Sequence, residues 1–190
     1  MTGTLVLVVG PSGAGKDSVL RFAANHFRDD RRLVFPRRVI TRPADRASED
    51  HDTVTEDVFL QRLNSGAFAL NWQAHGLSYG IPKIIETHLA QDRLVAVNVS
   101  RTILETIGDR FAKYLIVEIT ASPEILTARI AARARKTDGD VQQRVTREVK
   151  PSPQKQNHVT LMNEGTLIEI GTAFCDLLLK LQSKDALDTR

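Results

Sequence analysis

The chain alternates short, continuous apolar runs with longer stretches in which apolar residues recur every three or four positions. Thr4–Val9 is a run of leucine and β-branched residues stopped by Gly10, the pattern of a strand buried on both faces. Val19, Leu20, Ala23, Ala24 and Phe27 then form one stripe at helical spacing, which predicts a helix over Asp17–Phe27. Leu33–Phe35 and Val39–Ile40 read as short strands separated by Pro36. Thr55, followed by Glu56 and Asp57, is the N-cap of a helix reaching about Leu63. Phe68–Ala74 and Leu77–Tyr79 pair as a hairpin about Gly76. A helix over Pro82–Leu89, a strand over Leu94–Asn98, a short helix over Thr102–Ile107 and a strongly apolar strand over Tyr114–Thr120 follow. Ser122-Pro123-Glu124 starts a helix that runs to about Arg135, and residues 137–140 break it. A helix over Val141–Val149, a strand over Val159–Met162 and an amphipathic helix over Leu167–Leu181 complete the pattern.

Strand and helix alternate with short connections, which predicts an α/β fold with a parallel sheet covered by helices on both faces. The 190 residues amount to one domain, expected over 1–182, with a polar tail over 183–190. Residues 37–80 break the alternation and read as an insertion hung on that scaffold.

Composition narrows the class. Hydrophobic residues make 42% and charged residues 26%, which argues for a packed globule and against disorder. The longest apolar run, Leu5–Val9, is far too short for a membrane span, and no secretory signal pattern opens the chain, so a cytoplasmic protein is expected. The single cysteine, Cys175, excludes a disulfide framework and a cysteine-built zinc site. Charge is uneven although the net is only +3: residues 28–46 hold seven arginines against three acids, and residues 129–150 hold seven cations against three acids. Arginine suits bidentate phosphate contacts, whereas any one surface arginine also reads as a solvated face.

Gly10, Pro11, Ser12, Gly13, Ala14, Gly15 and Lys16 match the phosphate-binding pattern G-x-x-x-x-G-K, with a buried strand running in and a helix running out. Glycines let backbone amides converge on phosphate oxygens, Lys16 neutralises the β- and γ-phosphates, and the helix N-terminus adds partial positive charge. Asp17 stands where serine or threonine normally offers a hydroxyl to Mg²⁺, with Ser18 next. Its carboxylate is a hard-oxygen ligand for that ion, directly or through water; it also simply favours the helix N-terminus. ATP and Mg²⁺ are the expected cofactors. Hydrolytic switches and motors hold the metal with an acid ending a second strand, but this strand ends in Asn98, and Glu118 is flanked by Val117 and Ile119. A lid of arginines over the transferring phosphoryl group is the kinase alternative, and residues 129–150 fit it.

These features resemble the guanylate-kinase-like family over most of the chain. The matching segments are the phosphate loop, Ile40-Thr41-Arg42-Pro43, Gly66-Ala67-Phe68, Trp72, His75-Gly76, Tyr79-Gly80 and the arginine lid. The resemblance implies a P-loop kinase fold and places Arg42 and Tyr79 on the acceptor's phosphate. Two guanine-reading acids of the family are missing: Leu70-Asn71 precedes Trp72, and Asn98 ends the middle strand. The variant set Gly13–Ser18, Glu49-Asp50-His51, Ser78–Pro82 and Val97–Arg101 is similar to a branch that acts on ribose 1,5-bisphosphate in phosphonate catabolism. That likeness implies transfer of the ATP γ-phosphoryl group to the 1-phosphate, giving 5-phosphoribosyl 1-diphosphate and ADP. It suggests Asn98 and Arg101 for the sugar or other phosphate, His51 as a donor beside the acceptor, and Arg133, Arg135 and Arg144 for the transferring group.

Alternatives remain open from the residues alone. The same phosphate-holding arginines serve a GMP kinase, and a silent guanylate-kinase-like module would keep the fold while binding a protein partner. Tyr79 also reads as packing on Trp72, and Arg101 as helix cover. The expected partner is a small phosphorylated sugar rather than nucleic acid or membrane, with the chain a monomer or homodimer.

Overall fold

The computed structural model describes residues 2–42, 51–134 and 157–188. At its centre lies β1 (Leu5–Val9), all five residues fully buried. It is flanked in parallel by β7 (Leu94–Asn98) and β8 (Tyr114–Thr120), with β2 (Leu33–Val34) and β9 (His158–Met162) at the edges, in the order β2-β7-β1-β8-β9. A strand with neighbours on both sides and layers on both faces has no solvated surface, which is why β1 carries no polar alternation.

The two faces of this sheet have separate cores. Val6, Val8, Val117 and Ile119 pack against α1 (Lys16–His26) and α6 (Leu167–Asp188), with Phe174 and Leu178 fully buried. Leu5, Leu7, Val95, Val97 and Ile116 face the other way, onto Ile85 and Leu89 of α3 (Ile84–Ala90) and Ile107 of α4 (Ile107–Arg110). That second face also receives Ile40, Leu70, Tyr79 and Ile81 from a four-stranded sheet that the 37–80 insertion forms. Its order is β4-β3-β6-β5, from β4 (His51–Thr53), β3 (Arg38–Ile40), β6 (Leu77–Pro82) and β5 (Phe68–Ala74). The β5–β6 hairpin leads into α3, and α2 (Glu56–Asn64) starts at Thr55, whose side chain accepts from Val58 N–H.

Boundaries moved where local signals were thin. Pro82 ends β6 rather than starting a helix, since a strand terminus tolerates the missing N–H, and α3 begins at Ile84. The expected helix over Thr102–Ile107 is a 3₁₀ turn over Arg101–Thr106 running into α4. α6 continues past Leu181 to Asp188, so residues 183–188 of the expected polar tail are helical; no glycine or proline interrupts them. α5 (Pro123–Ala134) starts at Pro123 as its sequence demands, and the predicted helix over 141–149 lies outside the described residues.

Candidate active site

The phosphate loop leaves the end of β1 and enters α1. Gly10 sits at φ +145°, where a Cβ would lie 1.9 Å from the Ile119 carbonyl oxygen, so no side chain fits against β8. Gly15 caps α1 in the left-handed region at φ +88°, and a Cβ there would stand 2.6 Å from Asn163 Nδ2. Asn163 is buried just beyond β9, and its Nδ2 donates to the Ala14 carbonyl at 2.8 Å, bracing the loop from the far end of the chain. Nothing in the local sequence marks Asn163 for this task. Lys16 Nζ donates to the carbonyls of Gly10 and Pro11, 2.8 Å each, which places the ammonium across the loop mouth.

Asp17 is the hub between the loop and the insertion. Arg38 Nη2 lies 3.1 Å from both carboxylate oxygens, and Asn98 Nδ2 donates to Oδ1 at 2.7 Å. Three separate elements therefore meet on one carboxylate: α1, β3 and the end of β7. Asp17, expected as an oxygen donor for Mg²⁺ directly or through water, is thus also engaged by a guanidinium and an amide. Arg38 was legible only as one charge in a basic segment. Asn98 reaches Asp17 in this geometry.

His51 stands beside Arg38 in the β3–β4 register and is buried. Burial holds its imidazole below the ordinary value of 6.5, the Arg38 and Arg42 charges push it further down, and Asp17 partly offsets them. His51 is therefore a neutral side chain at pH 7. The segments that carry the motif residues Arg42 and Tyr79 are joined by a double latch between their neighbours: Thr41 N–H donates to the Ser78 carbonyl at 3.1 Å, and Ser78 N–H donates to Thr41 Oγ1 at 2.9 Å. Tyr79 stacks on its cross-strand partner Trp72, centroids 5.3 Å apart and planes within 4°, so its ring is a packing element of the hairpin. Leu70 points into the core and Asn71 is exposed.

Arg101 reaches β8. Its Nη2 pairs with Glu118 Oε1, and the two side chains are 24% and 11% exposed. His158 Nε2 stands 3.3 Å from Glu118 Oε2 without the alignment of a hydrogen bond. Arg101, expected at the sugar or the other phosphate, thus engages a carboxylate of β8, and its Nε is buried without a hydrogen-bond partner among the described residues. Glu118 and His158 carried no role in the sequence reading, yet an acid inside an apolar strand requires a partner.

On α5, Arg129 lies beside Gly13 of the loop, and its Nη1 is buried without a hydrogen-bond partner among the described residues. The side chain of Arg133 and all of Arg135 and Arg144 lie outside the described residues. Among the described residues no three acids, histidines or cysteines gather to hold a metal, and no helix is long and apolar enough to cross a membrane.

The chain is similar to several known proteins. No family model matches the chain. It is 48% identical over 179 residues to the ribose 1,5-bisphosphate phosphokinase PhnN of Acidiphilium cryptum, covering 94% of each chain. It is 44% identical over 164 residues to the PhnN of Bradyrhizobium diazoefficiens, covering 86% of this chain and 82% of that one. The chain belongs to the PhnN family. The first 'bifunctional' relatives include a ribose 1,5-bisphosphokinase-thymidine phosphorylase of Cupriavidus pinatubonensis, 41% identical over 178 residues, of which this chain spans 29%. Among solved structures, guanylate kinase from Anaplasma phagocytophilum matches with a TM-score of 0.66 at 17% identity, over 95% of this chain and 86% of that one. A gluconokinase from Sinorhizobium meliloti matches at TM-score 0.51 and 16% identity, over 100% and 98%. The PhnN fold is thus that of an α/β P-loop kinase.

Proposed function

We infer that this chain transfers the γ-phosphoryl group of ATP to the 1-phosphate of ribose 1,5-bisphosphate, giving 5-phosphoribosyl 1-diphosphate and ADP. The observation that carries this reading is the pairing of an intact phosphate loop with an acceptor side that has lost its base-reading acids. Leu70 is core, and Asn98 is a neutral amide turned to Asp17. A guanine would find no carboxylate at either position, whereas a doubly anionic sugar is not repelled there. Sites built around specific hydrogen bonds discriminate by large factors, so the same losses argue against GMP as the acceptor.

In the reaction one oxygen of the 1-phosphate attacks the γ-phosphorus in line, the bond to the β-bridging oxygen breaks, and that oxygen leaves on ADP. The attacking oxygen is already anionic near neutral pH, so no strong general base is required. The protein's task is positioning and neutralisation of charge. Lys16 sits at the loop mouth for the β- and γ-phosphates, and Arg42 beside Tyr79 for the acceptor. Arg129, whose Cβ lies beside Gly13 and whose Nη1 is buried without a partner among the described residues, adds a cation on the donor side, and Arg133, Arg135 and Arg144 are assigned to the transferring group. Mg²⁺ commonly rides on nucleotide phosphates with only one or two protein carboxylates, so Asp17 fits as its oxygen donor, with Ser18 next to it; the ion would neutralise the phosphoryl oxygens.

Phosphorus NMR with ATP–Mg²⁺ tests the reading. A new diphosphate signal with ADP in the ribose 1,5-bisphosphate tube, and none with GMP, is the expected result. Transfer to GMP alone would contradict it.

A further inference from the structure

A bisphosphorylated acceptor has two anionic ends, and Arg42 accounts for only one. Arg101, expected at the sugar or the other phosphate, pairs with Glu118 through Nη2. The structure offers a further group of cations. A cavity of about 210 Å³ opens between α1 and the β2–β3 segment, with Asp17 and Asn98 in its wall. Arg21, Arg37 and Arg38 line it, Arg38 paired with Asp17 and Arg37 with Asp52, beside an apolar wall that includes Phe35. A larger hollow of about 360 Å³ lies at the β5–β6 turn, but it has no arginine or lysine in its wall.

Resting on the phosphosugar reading above, we propose that the Arg21–Arg37–Arg38 cavity is the subsite for the non-transferring phosphate of the acceptor, with Arg38 its principal ligand. Size supports a small phosphorylated arm: about 210 Å³ is below the roughly 300 Å³ at which pockets for drug-sized ligands begin. Chemistry supports an anion, because arginine presents a planar fork matched to phosphate oxygens. Asp17 engages Arg38 through Nη2, and a guanidinium carries five N–H donors, so the same side chain holds an anion along another edge. Arg37 is tied back by Asp52 at 3.0 Å and by the His51 carbonyl at 2.8 Å, which fixes it at the cavity wall. Asn98 also acquires a reason: an acid at the end of β7 would face this phosphate, while the amide instead steadies Asp17. Position agrees as well, since Asp17 links the cavity directly to the loop where transfer takes place.

The test separates this subsite from the reaction by using half-acceptors. Ribose 5-phosphate carries only the non-transferring phosphate, and ribose 1-phosphate only the reacting one. Their binding to the whole chain is measured by calorimetry for wild type, Arg38→Gln and Arg37→Gln, with thermal melting as the folding control. Losing one charge-assisted contact should weaken ribose 5-phosphate about tenfold or more in Arg38→Gln and less in Arg37→Gln. Ribose 1-phosphate should bind all three proteins alike. Arg37→Gln leaves the Asp17 pair untouched, so its effect is not a by-product of a disturbed loop. No binding of ribose 5-phosphate to the wild type, unchanged binding in both variants, or equal loss for both half-acceptors would overturn the proposal. Failure of the wild type to phosphorylate ribose 1,5-bisphosphate would instead refute the reaction, and the half-acceptor result would still decide the subsite.

Discussion

The two halves of the cleft are made by different means. On the donor side the loop is shaped by backbone: glycines at φ values closed to other residues, a fully buried strand behind them, and an asparagine amide bracing a carbonyl. On the acceptor side the strands are short, three residues each in β3 and β4, and the chemistry rests on charged side chains that hold one another. A backbone-built site is fixed by the core and tolerates no change of ligand. A site made of side chains on short strands can change its ligand by point substitution while the fold is kept.

Substitutions should separate the halves. The largest effect is expected for Lys16→Ala, which removes the loop's cation: transfer to every acceptor should fall about a thousandfold while the melting temperature barely moves. Near-normal turnover would remove Lys16 from the mechanism. Next comes Glu118→Gln, which leaves Arg101 as an uncompensated buried charge. Chemical denaturation should record a loss of about 3–5 kcal/mol, and a loss under 1 kcal/mol would mean the pair is effectively solvated.

Arg42→Ala should act on one side alone. Losing a charged contact to phosphate predicts a fall of about 10–100-fold in kcat/KM for the acceptor, with ATP affinity unchanged. Parallel loss of ATP affinity would show that the halves are not independent. The smallest effect concerns His51. Its folded value lies below 6.5, so the unfolded chain takes up the proton first as pH falls, and stability drops from about pH 6.5 downward until the folded imidazole also titrates. His51→Gln should flatten that part of the stability profile, and an unchanged slope would place the cause elsewhere.

The donor half was legible from sequence because its signals are local. An apolar run, a glycine pattern and a helix start occupy consecutive residues, and β1, β8 and α5 lie where the pattern placed them. The acceptor half depends on partners distant in sequence. Asp17 meets Arg38 across 21 residues and Asn98 across 81, and on the donor side too a long-range brace, Asn163 to Ala14, spans 149. No periodicity encodes such meetings. Glu118 is an intermediate case. An acid between Val117 and Ile119 in a buried strand demands a cation, and Arg101 was already visible as a candidate. That demand alone pairs Arg101 with Glu118. Tyr79 shows the reverse limit, since the motif and the stack on Trp72 coexist in one residue.

The claim at the centre of this account is that the acceptor half selects a bisphosphorylated sugar and rejects a nucleotide. A competition assay measures it directly: equal concentrations of ribose 1,5-bisphosphate and GMP in one reaction with ATP–Mg²⁺, products resolved by phosphorus NMR. The account predicts 5-phosphoribosyl 1-diphosphate with ADP and essentially no GDP. Accumulation of GDP at a comparable rate would contradict it.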